Sequence, residues 1–336
     1  MQGTKIAAKQ PRVGIMVEPL IDSNLWKASF TLGDWNTRAS VRTSDYQYKL
    51  PPDLEKQLES RDWFPPALLP YLKHPEVKLA DKAITKRLCA NHLVNFLNYT
   101  TLLEHQIVNR SVELIIHDEL EFTIPSRMKT AALQLYTDEG YHALFSYQLA
   151  EQVSKFYDMA TQSTIHRRIT KLNQLIHTTP NKQKSITWLL IGFVSETIIA
   201  KDLRDVYQKN LVCCVQEMLK DHLADEARHS RYFSEVFHYL WIQMSDEQRI
   251  LSAKQLLDII LIFFETDKKW LELSLRSVQL SETTVDQVVT MMADPHAHIL
   301  RAREGASTTF QALKKAGFFK RTDIRQLFSN VGLIDE

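Results

Sequence analysis

The sequence predicts an all-α protein, a helical bundle with additional C-terminal helices and an irregular Pro-rich N-terminal arm. Three observations predict it. Beyond residue 80 apolar residues recur at spacings of three and four, prolines become rare, and no stretch alternates as a half-buried strand would.

Eight of the eleven prolines precede residue 80, six of them in K-L-P-P-D-L and W-F-P-P-A-L-L-P-Y-L-K-H-P. Proline neither donates a backbone hydrogen bond nor continues a helix, so residues 1–80 read as an arm with short helices, packed on the main body. Residues 81–320 form the main domain and 321–336 a C-terminal tail. Helices are expected at 82–119, 126–160, 162–177, 183–208, 211–242, 247–277 and 283–316. Pro125 and Pro180 separate the early ones, 183–208 holds the most apolar run of the chain, and the last two extend the bundle. No solenoid period, low-complexity tract or sustained heptad competes with this plan.

Lys plus Arg number 41 against 40 Asp plus Glu with the signs interspersed, so no electrostatic feature points to nucleic acid or an anionic membrane. The N-terminus has no apolar signal region. The longest apolar run, S-I-T-W-L-L-I-G-F-V-S-E-T-I-I-A, is too short to span a bilayer and contains Glu196. Of the three cysteines two are adjacent in a helical pattern, which argues against a disulfide framework. A cytoplasmic protein with neither nucleic-acid nor membrane partners is expected.

One word occurs twice. T-D-E-G-Y-H carries Asp138, Glu139 and His142; A-D-E-A-R-H carries Asp225, Glu226 and His229. On a helix the Glu and His of each lie three apart on one face, where both can reach one ion. Two such helices face to face can hold two ions, provided that two other helices each add a glutamate. Those glutamates must be on buried faces. Glu104 lies in line with Leu93, Leu97, Thr100, Val108, Ser111 and Ile115, whereas Glu113 shares its face with Gln106, Asn109, Arg110 and His117. Glu196 sits among Leu189, Gly192, Phe193, Ile199, Ala200 and Leu203, where a carboxylate is costly unless its charge is compensated. His222 adds a third imidazole to the stripe Val215, Met218, Glu226, His229, Phe233, Val236. Neither copy reads His-Glu-x-x-His, which disfavours zinc peptidase chemistry. Hydroxylase, desaturase, ferroxidase and radical generator all remain open on periodicity alone.

The order Glu104, Glu139-x-x-His142, Glu196, His222-x-x-x-Glu226-x-x-His229 resembles the ferritin-like non-heme diiron N-oxygenases of the p-aminobenzoate N-oxygenase family, over residues from about 80 to 320. The resemblance implies two iron ions bound by these seven residues, O2 as co-substrate, and His222 as the added third histidine. It further implies a monooxygenase that takes a primary amine through hydroxylamine towards nitroso or nitro products, in natural-product (antibiotic) biosynthesis. A hydroxylase or desaturase, or a non-enzymatic iron-binding ferroxidase, is the alternative.

Around the ligands, Asp138 and Asp225 are placed to accept the free imidazole N–H of a histidine in the opposing motif. Gly140 and Gly192 are the only glycines between residues 82 and 241. Each costs a helix about 1 kcal/mol relative to Ala, and leaves room for substrate, oxidant or a neighbouring helix. The resemblance also implies where the substrate sits: carried over by offset from the ligand positions, Phe96, Tyr99, Thr100, Gly192, Phe193 and Asp202 are the substrate-pocket candidates. This set lacks a cation for a free carboxylate and adds an acid, which points to a substrate without a free carboxylate, such as an amino acid held as a thioester on a carrier protein or another small-molecule amine. With no Gly-rich nucleotide motif and no cysteine cluster, electrons must come from an external donor. Assembly as a homodimer is a further expectation.

Overall fold

A computed structural model describes residues 26, 28–44, 48–159, 166–208 and 210–335. Most of them are helical, and apart from an isolated bridge between Asp62 and Leu211 the described residues hold no strand. The arm contributes α1 (Trp35–Arg38), α2 (Ser40–Thr43), α3 (Leu54–Ser60) and α4 (Pro75–Lys78). The body follows with α5 (Lys82–Leu102), α6 (Asn109–Ile116), α7 (Ser126–Phe156), α8 (Arg167–Thr178), α9 (Asn181–Val206) and α10 (Cys213–Gln243). Then come α11 (Asp246–Phe263), α12 (Lys268–Arg276), α13 (Glu282–Met292), α14 (Pro295–Gly305), α15 (Ser307–Lys315) and α16 (Thr322–Asn330). No helix among the described residues is long and apolar enough to cross a membrane.

Several expected helices differ in detail. The helix expected over 82–119 is interrupted by a π-helical stretch, Leu103–Val108, between α5 and α6. Residues 247–277 form two helices, because the Asp267 carboxylate accepts from the Trp270 N–H at 3.1 Å and starts α12 afresh. Residues 283–316 form three. Asp294 caps α14 through the Ala297 N–H at 2.7 Å, with Pro295 at the first helical position. α14 stops at Gly305, where an added Cβ would lie 2.0 Å from the Phe264 ring. The segment expected as a tail contains α16, which buries Ile324 and Phe328. Residues 1–25 of the arm and the expected helix start at 162 lie outside the described residues.

α5 packs on α7 and α9 on α10, with α6 touching both α7 and α9. The apolar interior falls into two clusters. One gathers Val108, Leu135, Phe193, Phe233 and Phe237, the other Leu93, Leu97, Phe145, Leu203 and Met218. On α7 and α10 the Asp-Glu-x-x-His words lie between the two.

The described arm runs along α10 in the opposite direction. The Phe30 N–H donates to Glu235 at 2.6 Å, the Ser40 N–H and hydroxyl donate to Asp225, and the Tyr48 hydroxyl donates to Asp221 at 2.9 Å. At the start of α10, Gln57 accepts from the Cys213 N–H at 3.0 Å.

Candidate metal centre

Glu104, Glu139, His142, Glu196, His222, Glu226 and His229 come together at one level of the bundle, none more than 1 % exposed. α7 brings Glu139 and His142, α9 brings Glu196, and α10 brings His222, Glu226 and His229. Glu104 projects from the π-helical stretch. The π turn there spans one more residue per hydrogen bond than an α turn and shifts the register after Leu102, and π turns inside helices often mark functional positions. The whole stripe predicted for this helix, Leu93, Leu97, Thr100, Glu104, Val108, Ser111 and Ile115, is buried. Glu113 is instead partly exposed and paired with Arg110 at 3.0 Å.

Two groups of donor atoms converge. Glu104, His142, His222 and Glu226 each offer an atom within 4.8 Å of the others, and so do Glu139, His142, Glu226 and His229. Glu196 joins through an oxygen 3.6 Å from His229 Nδ1. The contacts are close: His222 Nε2 to Glu104 Oε1 is 2.8 Å, His229 Nδ1 to Glu139 Oε1 2.7 Å, and His142 Nδ1 to Glu226 Oε1 3.2 Å. Yet both oxygens of Glu104, Glu139 and Glu196, Oε2 of Glu226, Nδ1 of His142 and Nε2 of His222 have no hydrogen bond of proper direction. Buried polar atoms are almost always hydrogen-bonded, so this many orphans aimed at common points fit cations rather than one another. The buried His/Glu groups can hold two metal ions.

The electrostatics agree. Burial and the neighbouring Glu226 charge push Glu139 up to about 7, and burial with Glu226 and Glu139 pushes Glu196 well above the usual carboxylate range. Burial would raise Glu226 too, but His229, His142 and His222 overrule it and hold it well below that range. Burial disfavours charge on the three imidazoles, yet their carboxylate neighbours raise all three. Without a metal the cluster shares protons; cations would replace them.

The outer contacts are crossed. His142 of α7 meets Asp225 of α10 through Nε2 at 3.0 Å, and His229 of α10 meets Asp138 of α7 through Nε2 at 3.0 Å. Each Nδ1 is thereby turned towards the site. Two arm residues, which sequence reasoning missed, complete these carboxylates: the Trp35 indole N–H donates to both oxygens of Asp138 at 2.9 Å, and Ser40 donates to Asp225. Nothing in the local sequence announces either.

The pocket candidates divide. Gly192 and Phe193 fall in tight packing: a Cβ at Gly192 would lie 2.6 Å from Ser111 and 3.1 Å from Phe233, and Phe193 stacks on Phe237 at 4.5 Å. Gly140 is exposed, with nothing within 4 Å of an added Cβ. Tyr99, Thr100 and Asp202 gather polar atoms instead. Tyr99 Oη and Thr100 Oγ1 are buried without a hydrogen bond. Over the Tyr99 ring, 5.2 Å from its centre, lies the guanidinium of Arg168 on α8, whose buried Nε also lacks a hydrogen bond. Phe96 meets Phe64 at 5.9 Å, and the His166 ring lies tilted by 36° against Tyr99 at 4.4 Å. Burial raises Asp202 to about 6 against the pull of Arg168. The candidate positions themselves hold no cation; Arg168, which is not among them, reaches Tyr99 from α8.

Residues 32–317 match the family model described as p-aminobenzoate N-oxygenase AurF. No curated protein matches the chain. A match over most of the chain joins a buried His/Glu cluster fit for two ions: the chain belongs to the p-aminobenzoate N-oxygenase family, O2-dependent diiron oxygenases.

Proposed function

We propose that the chain N-oxygenates a primary amine, through hydroxylamine towards nitroso or nitro products, at two irons held by Glu104, Glu139, His142, Glu196, His222, Glu226 and His229. The observation that carries it is the position of His222, with Nε2 2.8 Å from Glu104 and 3.5 Å from Glu226. Four carboxylates and two histidines suffice for an ordinary dimetal bundle, and a third imidazole adds electron density at one ion. Bound ferrous iron supplies the two-electron reduction of O2. The four glutamates supply four negative charges to match two ferrous ions, which removes most of the cost of burying them. Asp138 and Asp225 fix the ring orientations of His229 and His142.

The amine enters from the side of Phe96, Tyr99, Thr100 and Asp202, and its far end meets Arg168. That cation favours an amine bearing a carboxylate, of the aminobenzoate kind, over an aminoacyl thioester on a carrier protein. Iron-loaded, reduced protein is exposed to isotopically labelled O2 with p-aminobenzoate, free amino acids or carrier-bound aminoacyl groups, and products are read by mass. Label on the amine nitrogen is the expected result. Label on carbon would favour a hydroxylase, and ferrous oxidation with no labelled product a ferroxidase. Arg168→Gln is expected to raise KM for p-aminobenzoate and to leave that for its methyl ester unchanged.

A further inference from the structure

We propose that the surface around Trp35 is where an acidic one-electron carrier protein docks, and that Trp35, Asp138 and His229 form the electron path inward. This rests on the two-iron reading above. The path is continuous: the Trp35 indole N–H donates to Asp138 at 2.9 Å, Asp138 Oδ2 lies 3.0 Å from His229 Nε2, and His229 Nδ1 faces Glu139 at 2.7 Å. It leads from a partly exposed ring to a layer with no exposed atom of consequence. The corresponding route on the other side, from His142 through Asp225, ends at Ser40 and Arg228 with no aromatic ring. Among the described residues only one of the two paired motifs is thus wired to an aromatic group at the surface.

The surface there is basic. Arg38, Arg228 and Arg231 line an open hollow beside Trp35, in which Asp34 is the one acid among the described residues. Arg42 lies 5.8 Å from the centre of the Trp35 ring. Arg228 is engaged with buried Asp225, while Arg38, 3.9 Å from Asp34, Arg42, and Arg231, which donates to the Thr31 carbonyl, are exposed, three cations against one acid. With a net charge of only +1 the whole molecule steers little, so a local cluster decides where an acidic partner lands. In the step itself two reduced carrier molecules each lose one electron, and the ferric pair gains both to become ferrous. The indole remains unoxidised and serves as part of the tunnelling path.

The test uses iron-loaded protein, a plant-type [2Fe–2S] ferredoxin as acidic donor, and reduced methyl viologen as a small donor without a docking surface. Reduction is followed by stopped-flow absorbance. The triple variant Arg38→Glu/Arg42→Glu/Arg231→Glu is expected to keep full iron and its viologen rate. Its second-order rate with ferredoxin should fall at least about tenfold at low salt, with the salt dependence flattened. Trp35→Phe, which keeps ring bulk, is expected to slow the first-order step at saturating ferredoxin while the apparent Kd stays unchanged. A triple variant reduced by ferredoxin at the wild-type rate, or slowed equally with both donors, would overturn the docking surface. An unchanged saturating rate in Trp35→Phe would overturn the path. Loss of iron in either variant would also overturn the proposal, since these residues would then be holding the centre; failure of the two-iron reading itself shows separately, as absent iron in the wild type.

Discussion

The imidazole of His142 on α7 is held by the carboxylate of Asp225 on α10, Nε2 to Oδ2 at 3.0 Å, so each paired motif is oriented by the other. Asp225→Asn keeps the shape and removes the charge. Iron affinity is expected to fall about 10- to 100-fold with the fold intact, measured by anaerobic chelator competition. An unchanged affinity would mean that packing alone orients the ring.

Glu104, Glu139, Glu196 and Glu226 are each expected to lose iron when replaced by Ala. Glu113→Ala, at a partly exposed carboxylate paired with Arg110, should keep full iron and change stability by about 0 to 1 kcal/mol. Iron analysis of the five purified variants checks both halves.

His222→Ala removes one imidazole and leaves four carboxylates and two histidines. We expect it to fold and to retain most of its iron, while amine N-oxygenation drops steeply. A histidine serving only as a hydrogen-bonded core residue would give the reverse, a stability loss of about 1 to 3 kcal/mol with turnover preserved in the folded fraction. Iron content, Tm and product yield on one preparation separate the two.

Iron binding should release protons. Glu139, raised to about 7, is protonated below that pH in the metal-free protein, Glu196 is raised in the same direction, and iron needs the anions. Affinity should therefore weaken as pH falls from 8 to 6, mostly below about 7 where Glu139 takes up its proton, and there by up to about tenfold per pH unit for each proton displaced. Chelator titrations across that range with a pH indicator would contradict this if both affinity and proton release stayed flat.

Two glycines beside ligands should respond oppositely to alanine. Gly140→Ala, in open space on an exposed helix face, should gain about 1 kcal/mol of stability. Gly192→Ala must displace Ser111 and Phe233 and should lose about 1 to 3 kcal/mol. Equilibrium denaturation of the metal-free proteins reads both signs.

Both Asp-Glu-x-x-His words and the buried faces of Glu104 and Glu196 were legible from helical periodicity, because charge on an apolar stripe is conspicuous; the face expected to be solvated beside Glu113 is so at Gln106 and His117 but not at Asn109, which is buried. The π turn was not legible: Leu103 and Ile107 are apolar too, so an extra residue leaves the pattern looking regular. The break at 264–267 carries neither Pro nor Gly, and depends on Asp267 capping and on Phe264 lying against Gly305. Arg168, Trp35 and Ser40 reach the region from segments far away in sequence, and no local spacing encodes such meetings.

The ligand layer cuts the apolar interior across, with hydrophobic clusters above and below it. In the iron-free protein that waist is expected to be the weakest level of the bundle, because its groups gain no apolar burial and many of their buried polar atoms lack a hydrogen bond. Amide protons near residues 138–142 and 222–229 then exchange through local opening, while each half of the bundle stays shut. Iron, bound only by the closed form, raises the cost of that opening towards the cost of global unfolding and joins the two halves into one cooperative unit.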